Sequence, residues 1–254
     1  MTATNKQTII SHLEDLRWVF IRSVIYLMAA CAISFFFAEQ IIEIIKLPSK
    51  DVISNFFILK PTDSVVIYMK TILYGGFVIA FLPIIYEFVN FIKPALRKEQ
   101  TNFVLKWTAF SVILFLAGTL FAYFLILPVA VKFLTDLAQT LTASSMQVSF
   151  NAYISFVLML LLCGGIIFQI PLLCAVLTIL NIISPFVLRK FRKEMFFGLC
   201  VFAAVITPTT DVFSMTLFVA PMIVLYELGI IISDVIYKRK KSETEMLYDG
   251  GKYD

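Results

Sequence analysis

The side chains of this sequence that could do chemistry are acids placed where apolar segments meet water. The stretch Leu82 to Gln100, LPIIYEFVNFIKPALRKEQ, carries Glu87 near the end of an apolar run and leaves it through Lys93-Pro94 into a compact charged loop. There Lys93, Arg97 and Lys98 flank Glu99. A carboxylate held at such a boundary can meet a cation arriving from water, or it can close an intraloop salt bridge, which is worth little at a surface. Glu14 and Asp15 stand at the start of the first apolar run. Ser11-His12-Leu13-Glu14 has the S-x-x-E form of a capping box, in which Ser11 would cap a helix while Glu14 reaches back to its amide. Asp15 reads either as a solvated first-turn acid favoured by the helix dipole or as a ligand for a cation. Gln169, Glu87 and Glu227 lie at or near membrane depth, where polar groups are expensive and are either functional or helix-pairing. Pairing is the favoured reading for Gln169.

Other chemistries find little material. His12 is the single histidine and cannot build a histidine metal centre. Cys31, Cys163, Cys174 and Cys200 sit in apolar runs without a C-x-x-C pair and read as small buried hydrophobes. H-E-x-x-H and G-x-S-x-G are absent. No metal, cofactor or enzymatic activity is expected.

The elements that must position these residues are membrane helices. The 254 residues are 60% hydrophobic and 15% charged, against about half apolar and a quarter charged in soluble domains. Mean hydropathy is +0.93. The net charge of +4 is therefore no argument for nucleic acid; its meaning lies in where the basic residues fall. The sequence reads as a single polytopic domain, 1–254, with spans near 18–38, 71–92, 108–127, 153–176, 195–208 and 213–233 and a flexible charged tail, 238–254. Between the first two spans, Ile41, Ile42, Ile44 and Ile45 suggest a short helix stopped by Pro48, within a structured cap. Pro83 should kink the second span, Pro128 should close the third, and Gln169-Ile170-Pro171 should interrupt the fourth. The 26 phenylalanines read as lipid-facing filler.

Lys and Arg cluster at the N-terminus, in the second-third and fourth-fifth loops and in the tail. The positive-inside rule then puts both termini in the cytoplasm with six spans. Arg189, Lys190, Arg192 and Lys193 would orient the protein and touch anionic lipid. The fifth span is too short for a bilayer, so the Thr207-Pro208-Thr209-Thr210-Asp211 turn should lie below the outer surface in a concave, cup-like bundle.

Four patterns, in order along nearly the whole chain, resemble the TatC family of the twin-arginine protein translocase. His12-Leu13-Glu14-Asp15-Leu16-Arg17 is similar to H-L-x-E-L-R, and Tyr86-Glu87-Phe88-Val89-Asn90-Phe91 leading into Pro94-Ala95-Leu96 to Y-Q-x-W-x-F…P-A-L. Phe168-Gln169-Ile170-Pro171 is similar to F-E-x-P. The last pattern runs from Ser184-Pro185 through Arg189 and Arg192 to Thr207–Asp211 and Leu225-Tyr226-Glu227-Leu228-Gly229. The resemblance implies a receptor for signal peptides with two adjacent arginines. It would work in the bacterial cytoplasmic membrane, in a hetero-oligomer of several copies with small single-span Tat subunits of TatA/TatB type, and move folded proteins on proton-motive force. Guanidinium binds carboxylate bidentately, so two arginines would want two acids on one face.

By that resemblance the signal-peptide residues would be Asp15, Glu99, Gln100, Glu14, Arg17, Phe91 and Pro94. Gln169, Glu227, Thr207 and Asp211 would meet partner helices or polar groups within the membrane. Departures are specific. Asp15 stands for a glutamate, and Asp63 likewise; the family's loop acid falls on Gln100, with Glu99 one residue early; Gln169 replaces a glutamate and cannot be protonated. The alternative reading is a small-solute permease using Gln169, Glu87 and Glu227, against which stands the lack of an internal repeat.

Overall fold

The computed structural model describes residues 3–50, 53, 56–92, 103–142, 148–206 and 212–250, with side chains for 14–50, 53, 56–92, 106–140, 148–205 and 215–239. Among the described residues the structure is helical apart from turns and one pair of two-residue strands. In order it runs α1 (Ala3–Phe36), α2 (Ala38–Lys46), α3 (Pro61–Ile92), α4 (Phe103–Phe121), α5 (Leu127–Thr142), α6 (Phe150–Ile167), α7 (Ile170–Ile179), α8 (Pro185–Lys190), α9 (Arg192–Ile206) and α10 (Val212–Gly250).

Among the described residues, five stretches are long and apolar enough to cross a membrane: Glu14–Phe36, Pro61–Ile92, Lys106–Thr140, Phe150–Ile179 and Met215–Arg239. At 15 residues, α9 reaches only ~22 Å and falls short of a hydrocarbon core of ~30 Å.

Close helix contacts are made through small residues, as expected where lipid supplies no hydrophobic drive between helices. Helices α1 and α3 run antiparallel. A Cβ on Gly75 would lie 2.2 Å from Ser34 Oγ, and one on Gly76 2.4 Å from Cys31 Sγ. Helices α4 and α6 cross with backbone against backbone, a Cβ on Gly118 meeting the Gly164 carbonyl oxygen at 2.4 Å. The most buried span is α6–α7, with Ile154, Val157, Leu160 and Leu161 in the core.

On the side opposite the N-terminus a cap does form. Helix α2 buries Ala38, Ile42 and Ile45 and ends in a 3₁₀ turn, Leu47–Ser49, at Pro48 as expected. Tyrosines add hydrogen bonds to its C-terminal carbonyls: Tyr123 Oη donates to Ile44 O, which also accepts the Leu47 N–H, at 2.7 Å, and Tyr153 Oη donates to Ile45 O at 2.8 Å. Strands β1 (Phe56–Phe57) and β2 (Val148–Ser149) pair in parallel nearby.

Four local expectations are corrected. The capping box fails because α1 begins at Ala3, which leaves Ser11 and Glu14 inside the helix. Pro128 does not close the third span: a π-helical turn, Ala122–Ile126, absorbs the clash a proline makes with the carbonyl four residues back, and helix resumes to Thr142. The phenylalanines are not all lipid-facing; Phe115 is fully buried and stacks on Phe81 with centroids 4.0 Å apart. Finally, α10 remains helical through 238–250. The break at Gln169-Ile170-Pro171 is as expected, since α6 ends at Ile167 and α7 starts at Ile170.

Candidate functional site

The α1–α3 register builds the site near the N-terminal side. One turn-and-face correspondence fixes it: Arg22 Nη1 donates to Glu87 Oε2 at 3.4 Å and Tyr26 Oη donates to Glu87 Oε1 at 3.3 Å. Glu87 is 7% exposed while the Arg22 side chain is 55% exposed. The buried carboxylate is therefore met by a cation from the chain itself. Moving seven residues along α1 from Arg22 to Asp15 covers ~10 Å, whereas α3 has only five residues left from Glu87 to its end at Ile92, ~7 Å, so Asp15 stands ~3 Å beyond that end. The chain leaves α3 there toward the charged loop.

Glu14, Asp15 and Arg17 are exposed, and neither acid forms an ion pair with a described residue. Phe91 is half-buried in the last turn of α3. Pro94, Glu99 and Gln100 lie outside the described residues, as do Thr207 and Asp211.

Within the membrane, Gln169 sits in the break between α6 and α7, where the chain turns to present its amide to α4. Ser111 Oγ donates to Gln169 Oε1 at 2.7 Å, and Gln169 Nε2 donates to the Ser111 carbonyl at 3.1 Å. Both ends of the amide are thus satisfied by one fully buried residue, the arrangement of a helix-pairing group. Glu227 lies elsewhere, on α10, accepting from Arg192 Nη2 at 2.6 Å. Arg189 pairs with Asp234 on the same helix. These two arginines hold α8 and the start of α9 against α10, a role beyond orientation and lipid contact.

A further polar cluster escaped the sequence reading. Lys70 Nζ donates to Asn151 Oδ1 at 3.1 Å and to Ser155 Oγ at 2.6 Å; Asn151 Nδ2 donates to Asp63 Oδ1 at 3.1 Å. Asp63 also accepts from the Lys60 amide at 3.2 Å, closing the first turn of α3. The chain ties the far ends of α3 and α6 together. The polar spacing Asn151/Ser155 at the head of an apolar helix was its one visible signal.

Known proteins place the chain clearly. The profile of a family described as "TatC: Sec-independent protein translocase protein" matches residues 11–221. A Sec-independent protein translocase protein TatC of Aquifex aeolicus is 36% identical over 236 residues, covering 91% of this chain and 96% of that protein. The TatCy protein of Bacillus subtilis is 30% identical, with 94% of each chain covered. Among solved structures, one described as a crystal structure of the twin-arginine translocase receptor TatC superposes with a TM-score of 0.80 at 36% identity, covering 89% of this chain and 99% of that one.

Proposed function

We propose how this chain, which belongs to the TatC family of Sec-independent protein translocase proteins, recognises its cargo. It is a membrane component of the twin-arginine translocase, a protein-transport subunit. In our reading it is the receptor for twin-arginine signal peptides of folded precursors and performs no covalent chemistry. Asp15 and the loop acid, Glu99 with Gln100 beside it, take the two guanidinium groups. Glu14, Arg17, Phe91 and Pro94 frame them. The observation that carries this reading is the α1–α3 register, in which exposed Asp15 stands just beyond the point where α3 gives way to the loop. Glu87 is already engaged by Arg22 and Tyr26, so the exposed acids are the ones left for incoming arginines.

The same reading has six spans with both termini in the bacterial cytoplasm, short α9 making one wall of a cup. Thr207 and Asp211 serve as polar contacts for partner helices, Glu227 with its Arg192 partner lies toward the cytoplasmic rim of the cup, and Gln169 stiffens the wall. Single-span Tat subunits of TatA/TatB type dock there in a hetero-oligomer of several copies, and proton-motive force drives transport. The permease alternative has no observation in its favour: Gln169, Glu87 and Glu227 bond to three different helices and do not converge on one chamber.

Photo-reactive probes at positions 15 and 99 test the receptor reading, with precursors carrying Arg-Arg or Lys-Lys signals. Arginine-dependent crosslinks at both positions are expected. Crosslinks at neither, in a preparation with intact spans, would overturn it.

A further inference from the structure

We propose that the cleft between α2 and α3, on the side of the bundle opposite the N-terminus, holds the headgroup of an aminophospholipid: a primary ammonium beside a phosphate. The cleft has a volume of about 330 Å³ and is lined by Glu39, Glu43 and Lys46 of α2, Ile67 and Tyr68 of α3, and Phe150 at the head of α6. Glu39, Glu43 and Lys46 recur four and three residues apart and so share one helix face.

Charges on that face are not balanced within the described chain. Carboxylates four residues apart repel on a helix. Tyr68 Oη donates to Glu39 Oε1 at 3.1 Å, but the ion pairs among the described residues involve Glu87, Asp234 and Glu227, not Glu39 or Glu43. Lys46, the nearest basic neighbour in sequence, is turned over the Phe150 ring, its Nζ 4.6 Å from the centroid. The face thus offers two carboxylates without a counter-ion next to an ammonium without a counter-ion.

That pattern selects its ligand. Two carboxylates and a phenol supply too few oxygens for Ca²⁺, which takes about 6–8, and among the described residues no group of three or more metal-binding side chains exists. A simple cation would be opposed by Lys46, and a simple anion by Glu39 and Glu43. A zwitterion whose ammonium and phosphate are a few atoms apart meets both. Its membrane origin follows from what adjoins the cleft. Beside Tyr68, at four-residue spacing along the spanning helix, Val65, Met69 and Leu73 are 64%, 64% and 57% exposed. Acyl chains lie along this stripe while the headgroup ammonium donates to Glu39 and Glu43 and the phosphate accepts from Lys46.

The test uses the full-length protein, delipidated in detergent and titrated separately with phosphatidylethanolamine, phosphatidylcholine and phosphatidylglycerol, with bound lipid counted by native mass spectrometry. Phosphatidylcholine keeps both charges but has no N–H to donate; phosphatidylglycerol keeps only the anion. Phosphatidylethanolamine should bind about fivefold better than either, the upper range for one exposed ion pair. E39Q/E43Q should lower it to the phosphatidylcholine level with helical content unchanged. The single variant E43Q, at an exposed position, should show a smaller loss and serves if the double variant misfolds. K46Q should weaken phosphatidylethanolamine and phosphatidylglycerol alike. Equal binding of all three lipids, a preference for phosphatidylglycerol, or unchanged phosphatidylethanolamine binding in the glutamine variants would overturn the proposal.

Discussion

Replacing Gln169 by leucine tests whether this residue pairs helices. Leucine nearly preserves volume, so the change removes hydrogen bonds without opening a large cavity. Two bonds are lost: Ser111 Oγ to Gln169 Oε1 at 2.7 Å and Gln169 Nε2 to the Ser111 carbonyl at 3.1 Å. Interhelical hydrogen bonds in membranes average ~0.6 kcal/mol each and reach ~1.7 kcal/mol, so Q169L should cost about 1 to 3 kcal/mol. S111A removes only the hydroxyl bond, because the second acceptor is backbone and survives, and should cost about half as much. In the double variant Q169L/S111A the coupling energy should equal the single hydroxyl bond, ~0.6 kcal/mol or somewhat more. Reversible unfolding in mixed micelles, or steric trapping in bicelles, measures all three. A coupling energy indistinguishable from zero, or S111A costing as much as Q169L, would refute the pairing geometry.

Other perturbations follow from the same contacts. R22A strands a nearly buried carboxylate with only Tyr26 as donor and should cost ~1–3 kcal/mol. E87Q keeps an acceptor for Tyr26 and leaves the half-exposed Arg22 to water, so it should cost ~1 kcal/mol or less in the same assay; the opposite order would count against the pair. G118A drives a methyl into the Gly164 carbonyl and should destabilise by ~1–3 kcal/mol. At Gly198 a Cβ meets nothing within 4 Å, so G198A should be neutral or stabilising by up to ~1 kcal/mol; equal shifts in melting temperature would defeat the packing argument. N151A removes the link between Asp63 and Lys70 and should cost ~1–3 kcal/mol. Hydrogen exchange should quicken at the first turns of α3 and α6 and stay unchanged in α10; uniform protection would show that the cluster is not a tie.

The sequence by itself determined where the chain meets lipid. Transfer from water depends on the composition of a local window, so the apolar runs, the short α2 stopped at Pro48 and the break at Gln169-Ile170-Pro171 could be read in place. So could the family, because its motifs are spelled out in order. What only the tertiary structure decided is which polar group meets which. Helices such as α4 and α6 carry apolar residues all round with only scattered polar ones, so no periodic stripe marks the face that touches a neighbour. Nothing local says that Ser111 answers Gln169, that Asn151 lies between Asp63 and Lys70, or that Arg22 reaches Glu87. Local signals were also overruled where the context outweighed them. A helix continuing back to Ala3 left Ser11 without a terminus to cap, and a π-helical turn let the helix pass Pro128. A buried polar group must find a partner, and its partner is fixed by helix register and crossing distance, which are set by Gly75, Gly76, Gly118 and Gly164 packing across residues far away in sequence.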